Sequence, residues 1–115
     1  RGSVNDFYFD ADISSNYSIV KLSGKGTATS NALGISVSDT PSPIYFDEGV
    51  YATGSKESNQ ITQYFINQYK KLYNLYVAAA NLIGVDDSLT ITINATLEDS
   101  SGATKTITIQ YVLDE

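Results

Sequence analysis

The chain has no cysteine, histidine, methionine or tryptophan in its 115 residues, and only two prolines. The absence of Cys and His excludes cysteine proteases, Ser-His-Asp hydrolases, histidine metal sites, zinc ribbons, thiolate-bound haem and disulfides together. Its single arginine is Arg1, within Arg1-Gly2-Ser3, which reads as an expression-vector remnant and is set apart from the fold. Taking Arg1 from the seven basic residues leaves six lysines against 13 acids. Bidentate readout of guanine or phosphate leans on arginine, and a nucleic-acid binder carries a basic face. With a net charge of −6, DNA, RNA and anionic membrane surfaces are excluded as expected partners. Long apolar runs are also missing. The longest, Leu75 to Ala80, contains a tyrosine and three alanines, far short of the roughly 18 residues of a membrane-spanning helix.

A hydrophobic fraction of 42% is enough to build a core, and the length suits one core rather than two. Residues 4–115 are therefore read as a single α+β domain. Ser, Thr, Asn, Gly and Tyr are abundant, and no initiator Met follows the remnant. Both features lead us to expect a processed export precursor and an extracellular or cell-surface location.

The residues from Asp6 to Ile13 alternate: Phe7, Phe9, Ala11 and Ile13 against Asp6, Tyr8, Asp10 and Asp12. A period of two with aromatics predicts a half-buried strand. A second strand is expected from Tyr17 to Leu22, with a bulge or loop where Gly24 and Gly26 weaken it. A short strand through Leu33, Ile35 and Val37 follows, then a loop at Asp39-Thr40-Pro41-Ser42-Pro43, where neither proline can donate to a ladder. Ile44 to Phe46 form a brief apolar piece. The clearest strands come last. Leu89, Ile91, Ile93, Ala95 and Leu97 alternate with Thr and Asn, Asp99 to Gly102 turns the chain, and Ile107, Ile109, Tyr111 and Leu113 repeat the pattern. One apolar and one Thr-rich face predict an antiparallel sheet with one side in water. That Thr-rich face resembles strands of bacterial surface-adhesin modules, over this hairpin alone.

Between a cap at Ser55 or Ser58 and a C-cap at Gly84 lies a long stretch without Gly or Pro, which predicts one long helix. Its apolar residues form two flanks. Ile61, Tyr64, Phe65, Leu72, Leu75, Ala79, Leu82 and Ile83 make one; Ile66, Tyr69, Tyr73, Tyr76, Val77 and Ala80 make the other. Together they span about twice the roughly 100° stripe of an ordinary surface helix, so the helix is buried on two sides. A curled sheet could cover both flanks. Alternatively Tyr69, Tyr73 and Tyr76 form a contact surface for a partner protein or a second copy, as tyrosine suits interfaces. The predicted architecture is an antiparallel sheet of four to five strands packed on one long helix, order ββ(β)-α-ββ.

Patterns that carry chemistry are weak. Asp10 to Asn16 places oxygens at alternating positions like a calcium loop, but Ser15 stands where the turn glycine belongs and Lys21 where the closing Glu belongs. Asp86-Asp87 and Glu98-Asp99 read as turn residues. Gly24-Lys25-Gly26-Thr27 lacks the spacing of a phosphate loop. Ser23 with Lys25, and Ser55 with Lys56, are formal Ser-Lys pairs without the apolar surroundings that such catalysis needs. Tyr8, Tyr17, Tyr45 and Tyr51 are candidates for stacking on sugar rings. No cofactor or metal is expected. The expected function is a non-enzymatic exported or cell-surface module acting through protein contacts, by the tyrosine flank or a sheet edge. The alternative is a small-molecule or carbohydrate-binding module, with an apolar pocket between helix and sheet lined by Phe7, Phe9, Phe65 and Tyr76.

Overall fold

A computed structural model of the chain describes residues 19–30, 32–47, 56–80 and 89–113. Five strands and one helix appear in the order β1 (Ile19–Ser30), β2 (Ile35–Asp39), β3 (Ile44–Tyr45), α1 (Lys56–Ala80), β4 (Leu89–Asp99) and β5 (Thr104–Leu113). All pairings are antiparallel. The sheet runs β2-β1-β4-β5, and β3 pairs with β1 beyond the end of β2. This is the α+β architecture that the alternating patterns predict. The strand expected at Asp6–Ile13, the cap at Ser55, the C-cap at Gly84, the calcium-like run and Asp86-Asp87 lie outside the described residues. Because α1 begins at Lys56, Ser58 is already within its first turn rather than capping it.

Register places the apolar residues on one face. Val37, Ala28, Ile91 and Tyr111 form one cross-strand row, and Gly24, Ala95 and Ile107 another. Side chains alternate across a strand, so the intervening rows carry the polar set. Thr27, Thr92 and Gln110 share one such row, and Gln110 donates to Thr92 at 3.3 Å. Thr108 donates to Asn94 at 2.6 Å. The helix covers the apolar face through Ile61, Phe65, Leu72 and Tyr76, each fully buried. Burying a side chain of that size stabilises by about 1.5–3 kcal/mol.

Two local features correct the sequence expectation. First, β1 does not break at its glycines. The irregularity lies earlier, between Ile19 and Lys21, where one extra residue restores Ile19 to the buried face. A β-bulge has this effect because side-chain direction has a period of two. Second, helix side chains pack directly over Gly24 and Gly26. A Cβ at Gly26 would stand 2.6 Å from a Leu72 methyl, and one at Gly24 would stand 2.9 Å from the Tyr64 hydroxyl and 2.2 Å from the Asn94 carbonyl. Weak strand propensity at these positions is overruled by pairing with β4 and by helix packing.

The β4–β5 turn is held by one side chain. Asp99 Oδ1 accepts from the Ser101 amide at 2.9 Å, the Ser101 hydroxyl at 2.7 Å and the Ala103 amide at 3.0 Å. The Ser101 hydroxyl, followed by the backbone donors, holds the Asp99 carboxyl below its usual range. Gly102, with φ of 91°, supplies the left-handed step.

The close approach at β1 sets two unequal costs. Gly24→Ala meets a backbone carbonyl that cannot yield without moving β4, and is expected to destabilise by about 2–3 kcal/mol. Gly26→Ala meets the mobile end of Leu72 and is expected to cost about 1 kcal/mol. Urea unfolding of both variants checks the order; equal costs would show that the Asn94 carbonyl gives way as readily as the Leu72 methyl.

Candidate functional site

The apolar face of α1 is committed to the sheet, so its opposite stripe meets solvent. Gln60, Gln63, Asn67, Lys70 and Lys71 are exposed there. Between this stripe and the sheet margin runs an open groove of about 620 Å³. One wall is Pro41, Ser42, Ile44 and Tyr45; the other is Gln60, Gln63, Tyr64, Asn67, Gln68 and Lys71. The groove exists because β2 ends at Asp39 and the proline-containing loop carries the chain outward before β3. Among the described residues, Ser23, Gly24 and Lys25 of β1 therefore have no strand on the side away from β4.

Next to this groove α1 is tied to β2 by polar groups. Lys71 Nζ sits 3.1 Å from Asp39 Oδ1, and Gln68, itself buried, donates to the Asp39 carbonyl at 3.5 Å. The Lys71 side chain is 56% exposed and that of Asp39 16%, so solvent screens the pair and holds its worth to about 1 kcal/mol or less. Asp39 Oδ2 and the Tyr64 hydroxyl are both buried, with no hydrogen-bond partner among the described residues. Burial, and then the negative charge of Asp39, raise the Tyr64 pKa above its ordinary 10.0.

The tyrosines singled out from the helix pattern separate. Tyr76 is 0% exposed and Tyr69 3%. The Tyr69 ring meets Tyr111 of β5 edge-on at 4.8 Å. Tyr73 lies at the margin, half-buried, 6.3 Å from the Tyr69 ring. The three thus do not form one open surface: the sheet is wide enough for β5 to reach under the second flank. Leu75, placed on the core side by pattern, is 37% exposed instead, because the buried stripe is centred on Phe65, Leu72 and Tyr76. Phe65 and Tyr76 are themselves core side chains between helix and sheet; Phe7 and Phe9 lie outside the described residues.

Of the proposed stacking tyrosines, Tyr45 is described. It is 70% exposed and pairs with Lys21, whose ammonium stands 5.9 Å from the ring centre on the solvent face of the sheet. In the helix periodicity the amides of the groove count only as a polar stripe. Their 60-63-67 spacing was visible, but nothing in the sequence said that a loop would face them. Among the described residues there is no cluster of three or more potential metal ligands, and no helix is long and apolar enough to cross a membrane. Comparison with protein-family models, with curated proteins and with solved structures gives no match.

The folded state favours neutral Tyr64. The stability tied to that proton is present below pH 10.0, the ordinary value, and is lost as pH rises through the higher folded value. Asp39→Asn removes the second cause, so the Tyr64 titration is expected to move down while staying above 10.0. Tyrosine-selective NMR titration reads this directly; no movement would show that the carboxylate is not felt. On the helix, Tyr76→Ala is expected to cost about 3–5 kcal/mol and Tyr73→Ala about 1 kcal/mol. Urea midpoints compare them, and equal losses would place Tyr73 in the core as well.

Proposed function

We propose that this chain is a non-enzymatic, exported or cell-surface module that works through contacts with a protein partner or a second copy. The observation that supports the reading is at the β2–β3 margin. Ile44 and Tyr45 remain exposed there, at 38% and 70%, beside the groove under the polar stripe of α1. Ile44, in the row of buried Leu22, and Tyr45, in the row of Lys21, lie on opposite faces of the same edge, so large apolar surface meets water on both sides of it, and a partner that covers this edge recovers the hydrophobic term. Tyrosine adds apolar area with a polar tip, which suits a surface that is wet when unbound.

Composition supports the location. Few charges, no cysteine and a Ser/Thr/Asn-rich solvent face fit a chain that works outside the cytoplasm, where thiols would be oxidised. The contact surface we favour is the sheet edge rather than the tyrosine flank, because Tyr69 and Tyr76 already pack on the protein's own core.

A photo-crosslinking residue in place of Tyr45, introduced in the producing cells, tests this reading. Discrete protein adducts are expected from position 45 and none from position 92 on the solvent face of the sheet. Equal labelling from both positions, or adducts without protein, would overturn it.

A further inference from the structure

We propose that the outer edge of β5 is closed by the chain's own segment Asp6–Ile13, laid antiparallel to β5 as a further strand of the sheet. The proposal stands apart from the protein-contact reading, which concerns the opposite margin.

The edge carries the argument. Among the described residues β5 pairs with β4 alone. It is ten residues long and holds one charge, Lys105. A long, nearly uncharged edge is a template for another strand, and proteins cover such edges or load them with charge. The Asp99 amide donates to the Ala103 carbonyl at 2.9 Å, so these two residues turn their main chains toward each other. Such pairs alternate with non-bonded pairs along an antiparallel ladder. The odd-numbered residues of β5 therefore face β4, while Thr104, Thr106, Thr108, Gln110 and Val112 turn their main chains outward. Amides and carbonyls repeating every two residues fit an extended polypeptide main chain.

The apolar side of β5 fits the same occupant. The helix lies over β2, β1 and β4, and β5 falls outside its span. Tyr69 reaches Tyr111 from α1, and a strand along β5 supplies apolar neighbours for Ile107, Ile109 and Leu113. In the sequence Phe7, Phe9, Ala11 and Ile13 alternate with Asp6, Tyr8, Asp10 and Asp12. A strand with that period continues the apolar face with its own apolar row. Its aspartates then fall on the solvent face, where charge blunts the new edge.

Direction and reach select this segment and this edge. Ile19 stands opposite Asp99, at the end of the sheet where β5 begins. A segment arriving there runs against β5, which makes the pair antiparallel like every other in the sheet. From β1 across β4 and β5 to the next strand position is three spacings, about 14 Å. The Cα steps from Ile13 to Ile19 span up to about 20 Å. A hollow of about 70 Å³, with Ile19, Leu97, Thr104 and Lys105 in its wall, lies on that path. The other margin fits worse. There the segment would lie parallel to β3 and β2, the less stable pairing, and β3 offers two residues. A second copy of β5 is the competing occupant. A connector of residues 14–18 holds Asp6–Ile13 at about millimolar effective concentration, above that of a second copy in dilute solution.

The test is amide hydrogen exchange, read by NMR on the full chain across a concentration series. Thr106, Thr108 and Gln110 are expected to exchange as slowly as Ile107 and Ile109, at every concentration. Nuclear Overhauser contacts are expected between α-protons of odd-numbered residues of Asp6–Ile13 and of β5, and these need no variant. Proline supplies the discriminating substitutions. With the odd-numbered residues on the apolar face, Asp10 turns its amide to β5 and Ala11 turns its amide away. Asp10→Pro is expected to speed exchange at Thr106, Thr108 and Gln110 about a hundredfold, while Ile91 and Ile93 stay protected. Ala11→Pro is expected to leave all of them unchanged, since its amide faces solvent. Fast exchange at the even-numbered positions of the parent would show an open edge and overturn the proposal. Slow exchange without the α-proton contacts, or indifference to Asp10→Pro, would give the edge to another occupant and overturn it too. So would protection that grows with concentration alongside a dimer, which would give the edge to a second copy. None of these results bears on crosslinking from position 45, so the two readings fail separately.

Discussion

One close approach governs the rest of the structure: α1 lies against β1 at Gly24 and Gly26. A Cβ at Gly26 would press on a Leu72 methyl, and one at Gly24 on the Asn94 carbonyl and the Tyr64 hydroxyl, so both positions stay bare where Leu72 and Tyr64 seal the inner face. With both positions bare, the helix lies over β2, β1 and β4. The large side chains then divide by reach. Tyr64 and Leu72 settle over β1, while Tyr69 extends to Tyr111 on β5. Close-packed interiors leave few voids, so a sheet covered by one helix needs this division between bare strand positions and long helix side chains.

The same approach puts polar groups in an uneasy place. Asp39 shares a cross-strand row with Gly26 and so stands beneath the helix rather than out in solvent. Lys71 reaches one of its oxygens and Gln68 its carbonyl, while the second oxygen and the Tyr64 hydroxyl stay unpaired among the described residues. Buried polar groups without partners cost stability. Their presence beside a solvent-open groove, at the point where β2 stops and the Pro41–Pro43 loop turns outward, sets this margin apart from the well-satisfied Thr and Asn ladder on the other face. That contrast is why the proposed contact is assigned to this edge.

Much of the fold was legible as period. The alternation in Leu89–Leu97 and Ile107–Leu113 survives as β4 and β5, and a stretch free of Gly and Pro survives as α1. Local steric preference and the need to bury one face are written into consecutive residues, so no tertiary information is required to see them. Strand propensity points the wrong way at the glycines of β1, since their role is defined by a helix that comes some 40 residues later in the chain. The candidate site was legible only in pieces. An amide stripe, a proline loop and an exposed tyrosine are unremarkable alone.

What the sequence determined by itself is therefore the set of elements, their apolar faces, the absence of thiol and imidazole chemistry, and the acidic charge. Only the tertiary structure decided which half of a doubly apolar helix the sheet would cover. It committed Tyr69 and Tyr76 to the core, left Leu75 partly in water, and set Gln63 and Asn67 across from Ile44. The reason is physical. Periodicity records which side of an element is apolar, whereas the partner of that side depends on sheet width and on distances of closest approach, and those arise from residues far apart in the chain.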